Sequence, residues 1–403
     1  RDERLMTPPV PTSHHRTSRR RLVSIVGVAL TAAAMTLGPQ LIAGAASPSR
    51  GASPPQPVPT SLETSAGTWA SVPMGHFHQH LNTFWQLFFL PKGGSRWTND
   101  ASSLGMATNG GLVLSSPGAS SLIVGIRPSY KIKFSAVIAT SGGGNTWSAL
   151  PPILGVDLGL ADAPDGQQLA LVASSDGGEL LARAASGQNW RTWLTTRSLG
   201  ADSPSCGPTA LTAVTFDADG VPLVAAQCGR RGVLGIFADR RGRWSRVGPA
   251  LRGASRNEVG VLSLQSRDGG VEAIITVNAS SGTRVVSAWS RSGTGGWITS
   301  PALVLGRSAR VASAGGAGSA GEFVLSTAGS VDRLAVERAP GANWLQLPSP
   351  PLGTQTVASA LAGQYDALAV DGSVMTDWRL VAPSRRWAKH QVVAVQILYG
   401  SSD

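Results

Sequence analysis

Apolar and β-branched residues in this chain gather in runs of about five to seven, and each run stops at a turn. One series reads LTAVTF, DADG, VPLVAAQC, GRRG, VLGIFAD, RRGR and then Trp244. Another reads VGVLSLQS, RDGG, VEAIITV, NASSG, TRVVSAWS, RSGTGG and then Trp297. Such runs predict short strands joined by hairpins, four to a unit. Asp-Gly pairs recur at 165–166, 176–177, 219–220, 268–269 and 371–372. They suit hairpin turns because both residues tolerate positive φ. No helical periodicity is sustained after the apolar run that ends at Leu37.

The units repeat. Trp97, Trp147, Trp190, Trp244, Trp297, Trp344 and Trp387 each follow a turn rich in Gly or Arg, 43–54 residues apart. Several lead into a short apolar tail ending in proline, as in Trp147-SALPP and Trp344-LQLPSP. Four strands in about 45 residues make one blade of a β-propeller. The expected fold is therefore all-β: four-stranded blades over 81–403, seven in number, or six if the first unit is only a lid. Each tryptophan should open the outermost strand and cover the gap to the next blade. The β run from Val392 has no partner left in the last unit. The C-terminal strand is thus expected to close the ring by pairing with the first blade, which leaves no open edge.

The ends change the picture of where the protein works. A basic stretch, Ser18–Ser24, leads into an apolar run from Leu22 to Leu37, then Gly38-Pro39 and Ala43-Gly44-Ala45. That order reads as a secretory signal peptide over 1–45, with a loose twin-arginine character. An uncleaved anchor is the alternative, although the run is short for a span. Residues 46–80 are rich in Pro and Ser and read as a linker and lead-in segment. Net charge is +11, and removing 1–45 leaves about +7. In an exported protein, Cys206 and Cys228 are expected to form a disulfide across the hairpin that turns at Asp217–Gly220.

TSGGGNTW, from Thr140 to Trp147, resembles the Asp-box turn S-x-D-x-G-x-T-W, with Gly142 at the aspartate position. Ser174–Gly178 and Ser266–Gly270 keep S-x-D-x-G but lack the trailing T-W. The chain is thus similar to the BNR/Asp-box, sialidase-superfamily type of propeller, and to secreted actinobacterial propellers. The resemblance implies sialidase chemistry only if the family's set is present: three arginines clamping a carboxylate, a tyrosine nucleophile with a glutamate, and an aspartate acid/base. Ile126-Arg127-Pro128 is the nearest approach to the first arginine motif, but its order differs. The tyrosines are Tyr130, Tyr365 and Tyr399, and none has a glutamate beside it. No catalytic, cofactor-binding or metal residue is carried over.

Other constellations are sparse. His76, His78 and His80 alternate, so two of them on one strand face could chelate a metal, but no third ligand stands near. Arg230, Arg231, Arg240, Arg241, Arg243 and Arg246 cluster in one unit and could share an edge that meets an anionic partner. No stacking motif points to nucleic acid. The sequence therefore predicts an exported, non-catalytic monomer that binds a protein or carbohydrate partner at or outside the cell surface, with no cofactor. A sialidase-like glycoside hydrolase with degenerate Asp-boxes is the alternative.

Overall fold

A computed structural model describes residues 58–396, apart from 76–82, 101–103, 117–120, 130–131, 164, 174–178, 186, 268, 317–320, 360–362 and 382–384. The signal segment, the three lead-in histidines, Tyr130, Tyr399 and the Ser174–Gly178 turn lie outside the described residues.

Seven antiparallel meanders stand side by side, each in simple sequence order. Their innermost strands are Thr60–Thr64, Gly111–Ser115, Val156–Asp162, Pro208–Phe216, Glu258–Arg267, Ala309–Gly316 and Thr354–Ala358. These strands neighbour one another round the ring, and the first of them meets the last. The protein is a seven-bladed β-propeller. The fifth blade's outermost strand is split into Ile298–Thr299 and Leu303–Val304.

All seven repeat tryptophans occupy one equivalent place, within one residue of the start of the outermost strand. The apolar core divides into seven clusters, one in each gap between blades, and each cluster holds or touches one of these indoles. Four indoles also reach back to the preceding blade. Trp190 donates to the Pro151 carbonyl at 2.9 Å, Trp297 to Val247 at 2.6 Å, Trp344 to the Ser300 hydroxyl at 3.1 Å and Trp387 to Pro348 at 3.1 Å. The proline tails that follow the tryptophans thus have a role. Proline lacks an N–H for the ladder, but at Pro151 and Pro348 it offers its carbonyl to the next indole.

The first blade starts earlier than the sequence reading had it. Thr60–Thr64 and Gly67–Gly75, assigned there to the linker and lead-in segment, are its two inner strands. Ser61 ties the innermost one to its neighbours by donating to the carbonyls of Val357 and Gly316. Closure also differs in kind. The C-terminal strand Ala388–Ala394 does join the two ends of the ring, but its backbone pairs within its own seventh blade. It reaches the first blade through Gln391, whose amide accepts from the Trp97 N–H at 2.7 Å and donates to the Trp97 carbonyl at 2.9 Å. One side-chain amide thereby reproduces a rung of β-ladder. Strand exchange is unnecessary because Thr60–Asn99 already supplies all four strands of the first blade.

Cys206 and Cys228 form the expected disulfide, which closes the open end of the fourth blade's inner hairpin. At the other end, Asp217 accepts from the N–H groups of Asp219 and Val221, and Gly220 takes φ +75°. Replacing both cysteines with serine is expected to lower stability by about 3 kcal/mol through the freed loop. Calorimetric melting of the double variant checks this, and an unchanged melting temperature would refute it. One element went unforeseen: a single helical turn pair, Thr196–Asp202, capped by Thr195 and Ser198 and burying Leu199. It is too short to show a helical period in sequence.

Candidate functional site

A cleft of about 620 Å³ lies on the outer part of the third blade. Its walls come from the start of the strand Gln167–Ala173, the end of Glu179–Ala185, and the start of Arg191–Thr195. Gln188 and Asn189 extend the wall from the connecting turn. In the ladder, Arg183 stands directly opposite Arg191 on one side and Leu169 on the other, so all three share a face. A register shift between Leu181 and Ala182 then brings Trp193 onto the strand as an extra residue. Its indole lies under the Arg183 guanidinium, 4.4 Å from carbon to ring centre, and meets Trp244 of the fourth blade at 5.4 Å. At the rim, Asp165 accepts from the Gln167 N–H at 3.0 Å and from the Gln167 side-chain amide at 2.5 Å. Those bonds hold the exposed Asp165 carboxyl below its usual range. Gln167 Oε1 is buried without a hydrogen-bond partner.

A second concentration of charge is closed. Between the fifth and sixth blades, Arg267 Nη1 contacts Glu322 at 2.5 Å and Glu272 at 3.2 Å. Gln265 donates to Glu322 at 3.3 Å, and the Ser287 hydroxyl donates to Glu337. All three glutamates are buried. Burial, then the Glu322 charge, pushes the Glu272 carboxyl up to about 11, so at neutral pH it is protonated and bonded to Glu322. Two carboxyls hydrogen-bonded to each other leave no room between them for a glycosidic bond. In the seventh blade, Arg379 pairs with Asp366 at 2.8 Å and Asp377 at 3.6 Å. Burial, followed by the Asp366 charge, raises Asp377 to about 7.

Of the residues singled out by the sialidase resemblance, the described ones, Arg127 and Tyr365, lie in different blades. Arg127 is buried at the end of its strand; burial lowers its pKa and the charge of Asp157 opposes that shift. Asp157 fits only because residue 125 is glycine: a Cβ there would sit 2.0 Å from the carboxylate. Tyr365 is buried and its hydroxyl accepts from Arg338 at 3.2 Å. The TSGGGNTW turn reaches the first blade, and Gly142, Gly143 and Gly144 all take positive φ. A Cβ on Gly144 would meet Asp100 at 2.7 Å. Glycine at 142 therefore serves backbone geometry where an Asp-box would have its carboxylate. The arginines of the fourth blade also separate. Arg230 and Arg231 lie between its second and third strands, and Arg240, Arg241 and Arg243 lie at the opposite end of the third. Consecutive turns of a meander fall at opposite ends of the strand they share, so these groups cannot form one edge.

The sequence reading passed over Arg183, Arg191, Gln167 and Trp193. The signal was present in the hairpin: folding ARAASGQNWRTW about its SGQN turn sets Arg183 against Arg191.

No family model matches the chain, and no curated protein matches it. Among solved structures it is similar to a protein from Lactobacillus plantarum, with 11% identity, a TM-score of 0.52, and coverage of 81% of this chain and 96% of that one. A candidate 6-phosphogluconolactonase from Bacteroides uniformis matches at 10% identity and a TM-score of 0.51, over 82% of this chain and 97% of that one. The BP39L lectin from Burkholderia pseudomallei matches at 14% identity and a TM-score of 0.49, over 82% and 96%. The chain spans only about half the length, 50%, of a prolyl endopeptidase that it also matches. Likeness at these identities shows the propeller fold and nothing of its chemistry. Among the described residues no helix is long and apolar enough to cross a membrane, and no group of three metal-binding side chains occurs.

Proposed function

We propose that this protein is an exported binding propeller whose recognition site is the third-blade cleft. The observation that carries the reading is the lining: two guanidiniums, three side-chain amides and an indole converge on one concave surface. Its volume falls in the range of small-ligand sites. The disulfide is in keeping with an oxidising compartment. A propeller suits recognition because its turns stand on a rigid ring. The glycosidase alternative finds less support, since the carboxyl pair Glu272 and Glu322 is buried and bridged by Arg267.

The test is an immobilised panel of oligosaccharides and peptides, with hydrolysis of fluorogenic glycosides followed in parallel. We expect saturable binding without turnover. The double variant Gln188→Ala/Asn189→Ala should weaken the captured ligand roughly 10-fold, since each exposed amide removed costs about 0.5–1.5 kcal/mol. Undiminished binding by that variant would move the site elsewhere, and turnover lost in a Glu272→Gln variant would restore the hydrolase reading.

A further inference from the structure

We propose that the third-blade cleft takes an acidic glycan, its carboxylate or sulfate group held by Arg183 and Arg191 while a sugar hydroxyl donates to Gln167. The inference rests on reading the cleft as the binding site and names the ligand class.

The first observation is electrostatic. Arg183 and Arg191 are direct register partners across two strands. Side chains so placed start about 5 Å apart, and like charges there oppose folding. Among the described residues no carboxylate lies within ion-pair distance of either guanidinium. Asp165, bonded by both nitrogens of Gln167, lies near enough for its charge to act on Arg183 but forms no ion pair with it, so the pair keeps room for a second anion. An anion between the two arginines would turn their repulsion into two attractive contacts, and a guanidinium's planar fork suits a carboxylate or sulfate. Trp193 holds Arg183 by stacking beneath it, which leaves the N–H groups in the guanidinium plane available to a ligand. The Arg183 side chain is thereby ordered before the ligand arrives, which lowers the entropy lost on binding.

The second observation concerns hydrogen bonding and is independent of charge. Because Asp165 uses the donors of Gln167, the Gln167 orientation is set and its oxygen is left as a lone acceptor. A buried acceptor without a partner is costly, and a ligand hydroxyl would satisfy it. Gln188 and Asn189 add exposed amides that can both donate and accept. An anion recognised beside hydroxyl-matching groups is the chemistry of a uronate or a sulfated sugar. A membrane surface is a poorer match, since none of the exposed large apolar side chains belongs to the cleft.

The experiment titrates the whole exported protein and follows tryptophan fluorescence. The probes are oligogalacturonate, chondroitin sulfate, a neutral galacto-oligosaccharide of equal length, inorganic sulfate and single-stranded DNA. An acidic glycan should bind at least 10-fold more tightly than the neutral one. Arg183→Gln and Arg191→Gln should each weaken it about 10-fold and reduce its salt dependence. Gln167→Met should weaken glycans and spare sulfate. If acidic and neutral sugars bind equally and both arginine variants behave as wild type, the acidic class is wrong while the binding reading survives. If sulfate or DNA binds as tightly as any glycan and Gln167→Met changes nothing, the cleft is a general anion site and the glycan class is overturned. If no sugar binds and peptides bind regardless of substitutions in the cleft, this inference and the assignment of the cleft both fall.

Discussion

Trp97→Ala will destabilise the propeller by about 3–5 kcal/mol, the usual cost of emptying a large buried aromatic site. Trp97 is 2% exposed and sits where the last blade meets the first, packed with Met74, Phe88, Leu368 and Met375. Its backbone is also clasped by Gln391, and the Ser95 carbonyl two residues earlier contacts the His390 ring at 2.7 Å. A void here loosens the one seam that no chain connection crosses. The variant should therefore suffer more than Trp190→Ala or Trp344→Ala, whose blades are joined to their neighbours by continuous chain on both sides. Gln391→Leu separates the two contributions. It removes the clasp but leaves the indole, and should cost only about 1–3 kcal/mol, for the two unpaired backbone groups. Melting temperatures and limited proteolysis of the C-terminal strand provide the measurement. Equal losses for Trp97→Ala and Trp344→Ala would mean that ring closure adds nothing to the seam.

Arg267→Leu will cost a comparable amount, about 3–5 kcal/mol, because it leaves Glu322 charged inside the protein without its counter-ion. Adding Glu322→Gln should recover part of that loss. The companion variant Glu272→Gln has the opposite signature, and its sign follows from the direction of the shift. The Glu272 carboxyl ionises near 4.5 in the unfolded chain and is pushed up to about 11 in the folded one. The folded state thus holds the proton more tightly than the unfolded state. The stability linked to that proton is complete below about pH 4.5 and is lost progressively as pH rises toward 11. Glutamine keeps the neutral hydrogen-bonding form at every pH. The Glu272→Gln variant should match the wild type in acid and overtake it steadily between about pH 5 and 10. Parallel melting curves across that range would show that Glu272 is not held protonated. Asp377, raised to about 7 mainly by burial, acts in the same direction, so wild-type stability should already decline between its unfolded value of 3.8 and neutrality.

The sequence by itself determined the repeat. Hairpin turns at Asp-Gly, short apolar strands and a tryptophan at one fixed place per unit are local signals, and local chemistry enforces them. A turn needs residues that tolerate positive φ, and an indole needs a gap to fill. Blade number and the Cys206–Cys228 disulfide followed from the same local pattern. What only the tertiary structure decided involves residues far apart in the chain. Thr60–Gly75 looks like linker because its polar residues are satisfied elsewhere, Ser61 by Val357 and Gly316. Ring closure draws on Gln391, and no strand pattern distinguishes it from a solvent-facing amide. The carboxylates joined by Arg267 come from different blades, so their protonation is invisible until the blades pack. The cleft lies between these cases. The register of Arg183 and Arg191 could be read from one hairpin, but the tilted contact of Trp193 with the fourth blade's Trp244 required the ring. Physical range explains the division: turn and strand preferences act over a few residues, whereas desolvation and charge pairing depend on whatever the fold brings alongside.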